Sequence, residues 1–114
     1  MAAYAATVTV DVAKPDRIGR NYGVVTGTVD ITNYNSTVAE ITDITKYFLD
    51  NSISVTVAPC GVTDNGYWLS WDKTNKAFKA YKGDYSTSVD GPAVECANDL
   101  DVGAVPFIAV GIVI

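Results

Sequence analysis

Residues 67–81 read YWLSWDKTNKAFKAY and contain the clearest secondary-structure pattern in the chain. Aromatic residues recur at every second position on both sides of a polar centre, which is the period at which strand side chains share one face. The pattern predicts a β-hairpin in which Asp72 pairs with Ala77 across a four-residue loop. One face of this hairpin then carries Tyr67, Leu69, Trp71, Phe78 and Ala80, and the other carries Trp68, Lys79 and Tyr81.

The two faces of the predicted hairpin have different chemistry. The first is apolar and is the expected core side. The second places Trp68 and Tyr81 where a sheet normally meets water, and such a patch more often marks a contact surface. A protein interface and a platform for stacking on a sugar ring both fit these residues. The lysines either discourage edge pairing or meet an acidic neighbour: Lys73, Lys76, Lys79 and Lys82.

Alternating segments predict further strands elsewhere in the chain. Residues 7–12 alternate Val with Thr or Asp, and residues 25–31 place an apolar residue or Gly at every second position. A third strand, over residues 52–57, is expected to stop before Pro59, and a short strand is expected around residues 93–97. The β-branched content of these segments suits a pleated surface.

The last predicted strand, residues 102–114, is apolar on both faces. The two sets alternate: Val105, Phe107, Ala109, Gly111 and Val113 on one side, and Ile108, Val110, Ile112 and Ile114 on the other. A strand of this kind requires cover on both sides, either deep in a sandwich or between a sheet and a neighbouring subunit. We therefore expect the end around Ile112 and Ile114 to lie near a surface that a partner covers.

One short helix is expected within residues 38–49. It begins either after a capping box at residues 37–40 or at Thr42, which Asp43 follows. Its buried side carries residues at helical spacing: Ile41, Ile44 and Phe48. Seven or so short strands with one small helix predict an all-β, single-domain protein, either a β-sandwich or a small β-barrel.

Composition restricts the classes of function. A chain of 114 residues with 48% hydrophobic residues suits one folded domain, and no apolar run approaches the roughly 20 residues of a membrane helix, so we expect a soluble protein. The first residues lack the basic and apolar regions of a secretory signal, which predicts no export. The net charge of -5 argues against general nucleic-acid binding, because phosphate binding requires a cationic surface.

Few residues suggest reactive chemistry. The chain has no histidine, the commonest general base and metal ligand, so we expect no enzymatic activity, metal or cofactor. Cys60 and Cys96 lack the spacing of a zinc or redox motif; buried free thiols are expected, and a disulfide is the alternative. The acidic residues within 90–101 match no full calcium loop and are interpreted as solvated turn residues.

The order of these features forms a recognisable layout. An Arg-Ile-Gly sequence at Arg17, a Val-x-Gly-x-Val strand, a short helix and the WDKTNKAFKAY hairpin precede the ECANDL segment at residues 95–100 and an apolar last strand. Over residues 17–114 this layout resembles small structural proteins of tailed bacteriophages, similar to capsid decoration (cement) proteins. Residues 1–16 lie outside the resemblance and are interpreted as an N-terminal strand or arm, with residues 17–114 as the β-sandwich domain.

The resemblance implies a non-enzymatic virion protein, made in the host cytoplasm, that sits on the capsid exterior. Its partners would be the major capsid protein and further copies of itself, as a homotrimer rather than a dimer, without nucleic acid or membrane. Contact residues are expected among Tyr4, Trp68, Lys79, Tyr81, Ile112 and Ile114. A carbohydrate-binding β-sandwich module, or another phage part such as a tail-tube, head-completion or fibre-base protein, is the alternative.

Overall fold

The computed structural model describes residues 3–11, 15–18, 21–49, 56–84 and 91–112. These residues form a mostly β fold with two antiparallel sheets. The strands are β1 Ala5–Val10, β2 Asp16–Ile18, β3 Tyr22–Asn33, β4 Thr56–Pro59, β5 Trp68–Asp72, β6 Ala77–Asp84, β7 Gly91–Glu95 and β8 Gly103–Ile112. A short helix, α1, covers Thr42–Thr45. The predicted all-β, sandwich-like fold with one short helix is confirmed.

The larger sheet is built on its two longest strands. Its order is β1-β3-β8-β4, and β2 pairs with the first residues of β3. The ladder between β3 and β8 is uninterrupted from the pair Tyr22 and Ile112 to the pair Ile31 and Gly103. This ladder fixes the register of the whole sheet, because a slip of one residue would move every apolar side chain to the opposite face.

Alternation along β3 and β8 decides which face of the larger sheet is buried. The buried positions of β3 are Gly23, Val25, Gly27, Val29 and Ile31, and those of β8 include Val105, Phe107 and Ala109. The threonines between them in β3 stay partly exposed. The alternation predicted for β3 is therefore confirmed. For β8 the sequence predicts two apolar faces, and the one that carries Val105, Phe107 and Ala109 is the buried one.

The smaller sheet has the order β5-β6-β7 and contains the predicted hairpin. Asp72 pairs with Ala77, as predicted. The Asp72 carboxylate accepts hydrogen bonds from the backbone N–H groups of Thr74, at 3.0 Å, and Asn75, at 3.3 Å. Lys76 completes the turn in the left-handed region, with φ at 56°. The polar turn residues thus close the loop through local hydrogen bonds.

One hydrophobic core joins the two sheets. Its buried members come from the larger sheet, the smaller sheet and the segment around α1: Val25, Val29, Ile31, Val57, Val105, Phe107 and Ala109; Leu69, Ala77, Phe78 and Ala80; and Tyr34, Ile41, Ile44 and Phe48. Trp71 and Phe78 meet edge to face with ring centroids 5.1 Å apart. The core side predicted for the hairpin is confirmed, because Leu69, Phe78 and Ala80 are buried.

The helix is much shorter than predicted. It begins at Thr42, the second of the two predicted starts, and covers a single turn. The predicted capping box is wrong, because Ile41 holds the N-cap position without a side-chain cap and Glu40 instead accepts a hydrogen bond from the Thr45 hydroxyl at 2.8 Å. Threonine and isoleucine are weak helix formers, so the segment is fixed by burial of its apolar side chains rather than by propensity.

Two strand boundaries also differ from the predictions. β4 includes Pro59, so the prediction that this strand stops before Pro59 is wrong. Proline is acceptable there because β4 lies at the edge of the larger sheet as described. Every second N–H of an edge strand points away from its neighbour, so a proline at such a position loses no hydrogen bond of the ladder. β7 begins and ends two residues before the predicted strand, at Gly91–Glu95. The expected strand residues 52–55 lie outside the described residues.

The two cysteines are free and lie in different environments. Cys96 is buried, as predicted, and burial raises the pKa of its thiol. Cys60 is exposed, so its predicted burial is wrong. It directly follows edge strand β4, and its backbone N–H donates to the Pro106 carbonyl at 2.8 Å while its side chain stays at the surface.

Candidate interaction surfaces

The outward face of the hairpin brings together three of the predicted contact residues. Trp68 lies directly opposite Tyr81, and Lys79 lies opposite Ser70 in the next row. Trp68 is 45% exposed, whereas Tyr81 and Lys79 are half-buried. Directly opposed side chains of antiparallel strands stand about 5 Å apart on one face, so the indole and the phenol form one patch. We call Trp68, Ser70, Lys79 and Tyr81 the hairpin surface.

A charged side chain borders the hairpin surface on β7. Glu95 lies opposite Tyr81 and extends the row that begins at Trp68. The Glu95 carboxylate accepts a hydrogen bond from the hydroxyl of the buried Tyr34, so one end of this row is anchored to the core. Together with Glu95 at its border, the hairpin surface therefore presents two aromatic rings, an ammonium group and a carboxylate. This mixture suits contact with a partner that is partly apolar and partly polar.

Tyr4 does not join the hairpin surface. Its hydroxyl donates to the Phe78 carbonyl at 3.0 Å, and its ring meets that of Tyr34 edge to face with centroids 6.0 Å apart. Burial raises the pKa of the Tyr4 hydroxyl well above its usual range. Tyr4 thus connects the segment before β1 to the core side of the hairpin.

A second apolar surface lies on the outward face of the larger sheet. On β8, Ile112 is opposite Tyr22 and Val110 is opposite Val24, both in β3. Ile108 of β8 is opposite Ala58 in the other neighbouring strand, β4. We call these six residues the outer patch. Tyr22 is 51% exposed and Ile108 is 37% exposed, so β8 is buried deeply on one face only. Burial deep in the sandwich, one of the two predictions for β8, is therefore wrong. Ile114 lies outside the described residues.

The free edge of β1 is a feature that the sequence analysis missed. The backbone N–H of Asp11 donates to the Thr26 carbonyl at 2.9 Å. In the antiparallel register of β1 and β3, the backbone groups of every second residue point to the partner strand, so those of Ala6, Val8 and Val10 point away from it. Among the described residues, no strand pairs with this side of β1. The sequence signal was the absence of charge across residues 3–10.

A narrow groove runs beside the free edge. Its volume is about 240 Å³, and it is lined by residues 4–7 on one side and residues 39–43 on the other. Ala5 and Thr7 point to one face of the sheet and Tyr4 and Ala6 to the other. Because both sets line the groove, it follows the edge of the strand and not one face of the sheet.

The acidic residues near the start of β8 serve the local backbone. The Asp64 carboxylate accepts a hydrogen bond from the Ala104 N–H at 2.9 Å, and the Asn65 amide donates to the Asp101 carbonyl at 3.1 Å. Burial, together with the charges of Asp101 and Asp64, raises the pKa of Asp30. Within the described ranges, no group of three or more His, Cys, Asp or Glu side chains is placed to hold a metal ion.

No helix in the described part of the chain has the length and apolarity needed to cross a membrane. No protein-family model matches the chain, and no curated protein or solved structure matches it either. Functional interpretation therefore depends on the two exposed apolar surfaces and on the free edge of β1.

Proposed function

We propose that the protein is a virion structural protein that binds the outside of a bacteriophage capsid and stabilises contacts between major capsid subunits. One observation carries this proposal: each sheet has an exposed apolar surface on the side away from the shared core. The hairpin surface and the outer patch therefore face in different directions. One copy of the chain can contact two neighbours at once, as a decoration (cement) protein must.

The sizes involved are compatible with this role. The protein exposes 6421 Å² in total, and a standard interface uses about 800 Å² per partner, so two interfaces would take about a quarter of the surface. Each apolar contact adds about 25 cal/mol per Å² before the costs of association are subtracted. Repetition over many lattice sites would then strengthen the shell without requiring a tight single contact.

In this proposal the two surfaces have separate partners. The outer patch, which is apolar, joins copies of the chain into a homotrimer. The hairpin surface contacts the major capsid protein, with Trp68 and Tyr81 as aromatic anchors and Lys79 opposite an acidic group of the shell. The role is non-enzymatic and requires no cofactor.

The test measures how much protein binds to capsids that lack it. The purified chain is mixed with expanded capsids, and bound protein is quantified after sedimentation. We expect Trp68→Ala to weaken binding at least tenfold, because aromatic anchors carry most of the energy of an interface. Val62→Ala is the matched control, since Val62 is 50% exposed but lies outside both surfaces. Unchanged occupancy with Trp68→Ala would remove the hairpin surface from the proposal, and a monomer that ignores capsids would refute the function.

A carbohydrate-binding module is the second candidate, and the hairpin surface supports it. Two neighbouring aromatic rings can stack on a sugar ring, and the flanking Ser70, Lys79 and Glu95 offer hydrogen bonds to its hydroxyl groups. A glycan array with wild-type protein, Trp68→Ala and Tyr81→Ala separates the candidates. Glycan binding that is lost in both variants would favour the module, and an array without hits would reject it.

A further inference from the structure

The free edge of β1 offers backbone hydrogen bonds to another strand. Ala6, Val8 and Val10 direct their N–H and C=O groups away from β3. Proteins usually protect such edges with lysine, proline or a bulge, because an unpaired edge is a template for strand addition. From Ala3 to Val10 the segment contains no charged residue and no proline. Its one irregularity lies between Ala5 and Ala6.

The wall opposite this edge restricts what can enter. Residues 39–43 form the second side of the groove, and Ile41 there is held by a 2.9 Å hydrogen bond from its N–H to the Lys76 carbonyl. A volume of about 240 Å³ is below the usual range of small-molecule pockets, which starts near 300 Å³. A groove that follows a strand edge and has a fixed opposite wall fits one extended chain better than the edge of a second complete sheet.

The charge of the groove indicates the chemistry of its occupant. Glu40 and Asp43 are its charged lining residues, and among the described residues no cationic side chain lines it. Lys76 reaches Glu40 at 3.9 Å and Lys46 reaches Asp43 at 3.6 Å. Both carboxylates remain more than one-third exposed, so these surface pairs are weak. Glu40 also accepts a hydrogen bond from the Thr45 hydroxyl at 2.8 Å, so Asp43 is the more accessible of the two to a ligand. The protein as a whole has a net charge of -5.

From these three observations we propose that the groove between β1 and residues 39–43 binds an extended, basic peptide segment of a partner protein, which joins the larger sheet as an additional strand beside β1. Main-chain hydrogen bonds to Ala6 and Val8 supply affinity, and Glu40 and Asp43 select lysine or arginine in the peptide. This inference depends on the geometry of the edge and holds whether or not the partner is a capsid subunit.

Peptide binding to the full-length wild-type chain provides the first test. The probe is a fluorescein-labelled, end-capped octapeptide, KVTAKVTK, followed by fluorescence polarisation at low salt. We expect saturable binding that weakens as salt is added, and at least tenfold weaker binding of the matched peptide EVTAEVTE. Failure of KVTAKVTK to bind at 1 mM, or equal binding of the two peptides, would overturn the proposal.

N-methylation tests strand addition without changing the protein. The same octapeptide is prepared with N-methyl groups on its odd residues or on its even residues. Only one edge of an added strand faces β1, so one methylated peptide should lose at least tenfold in affinity while the other binds nearly as well as the parent. Two methylated peptides that both bind like the parent would rule out pairing with the edge.

Protein variants then locate the site. Ala6→Pro removes an N–H that faces the groove but does not serve the ladder with β3, and it should weaken binding tenfold while leaving the melting temperature nearly unchanged. The double change Glu40→Gln and Asp43→Asn removes both negative charges, keeps an amide oxygen that can accept from the Thr45 hydroxyl, and should reduce the salt dependence. Binding unaffected by both variants would refute the assignment. A wild-type dimer in sedimentation that Ala6→Pro makes monomeric would assign the edge to a second copy and also refute it.

Discussion

The two sheets bury their inner faces with different kinds of side chain. The larger sheet uses mostly β-branched residues along β3 and β8, with Phe107 as its large aromatic side chain, whereas the smaller sheet uses the aromatic pair Trp71 and Phe78 with Leu69. Their outward faces differ as well, because the outer patch is apolar and the hairpin surface mixes aromatic rings with charge. The inner faces thus act together as one core, whereas the outer faces differ in chemistry and form two distinct surfaces.

The connection between the sheets depends on tyrosine side chains and on one loop. Tyr34 is fully buried; its N–H donates to the Leu100 carbonyl at 2.9 Å, and its carbonyl accepts from the Asp99 N–H at 2.7 Å. Its hydroxyl reaches Glu95 on the smaller sheet. Tyr4 makes a second link to the hairpin through Phe78. We therefore expect the two sheets to unfold together.

Truncation of a buried phenylalanine in either sheet should cause the largest loss of stability, and it tests whether the sheets share one core. Phe78 of the smaller sheet and Phe107 of the larger sheet are both at most 1% exposed. Phe78→Ala and Phe107→Ala should each lower the free energy of unfolding by about 3–5 kcal/mol, because each leaves a cavity. Urea denaturation, followed by fluorescence and by circular dichroism, should show one transition in both variants. Two separate transitions would mean that the sheets are independent units.

A glycine at the start of β8 tests how tightly the larger sheet is fixed. Gly103 has φ at +100°, and an added Cβ would collide with the carboxylate of Asp64 and lie 3.0 Å from the Asn65 amide. Gly103→Ala should cost about 2–3 kcal/mol of stability, from backbone strain and displacement of that carboxylate. Gly61→Ala is the matched control: φ is +115°, but beyond the adjacent residues no described atom lies within 4 Å of the added Cβ, so only about 1 kcal/mol of backbone strain is expected. Equal losses in thermal denaturation would show that the space around Gly103 does not matter.

Removal of the Tyr34 hydroxyl should have a smaller effect on the free energy of unfolding, and it should change how that free energy depends on pH. Tyr34→Phe removes the hydroxyl that binds Glu95 and should cost about 1–2 kcal/mol at pH 7. Burial and the hydrogen bond to Glu95 raise the pKa of Tyr34 above its usual value. Unfolded tyrosine ionises near pH 10, so the folded state keeps its proton longer and stability falls as pH rises above about 10.

Urea denaturation between pH 8 and pH 11 checks this sign. The wild-type protein should lose stability above pH 10, and Tyr34→Phe should lose it less steeply. Tyr22→Phe, at an exposed position, should change the free energy of unfolding at pH 7 by less than about 0.5 kcal/mol. A slope that Tyr34→Phe leaves unchanged would contradict the role assigned to this hydroxyl.

A pair of variants in β5 separates the inner and outer faces of the hairpin. Trp68→Ala should change the free energy of unfolding by less than about 1 kcal/mol, because Trp68 lies on the outward face. Its neighbour Leu69 is buried on the opposite face, and Leu69→Ala should cost about 2–5 kcal/mol. Thermal melts of the two variants make the comparison. A large loss with Trp68→Ala would show that the hairpin surface contributes to the fold itself.

Local patterns predicted most of the strands and the buried faces, because each depends on residues close in sequence. The short strand β2, Asp16–Ile18, was not predicted. The register of the hairpin followed from alternation around Asp72 and Ala77, and the inward set of β3 followed from its valines. The sequence could not decide whether the face carrying Ile108 would be covered, because that depends on how distant strands are ordered. The groove escaped prediction for the same reason, since residues 4–7 and 39–43 meet only in the folded chain.

The different settings of the two cysteines have a practical consequence. Thiol reagents attack the thiolate, and the thiol of Cys96 is both buried and raised in pKa, whereas Cys60 is exposed. A maleimide dye added near neutral pH will therefore label Cys60 first. The label will sit just after β4, two residues beyond Ala58, at the border of the outer patch rather than on the hairpin surface. The proposed binding to capsids could then be followed one molecule at a time, without engineering a new conjugation site.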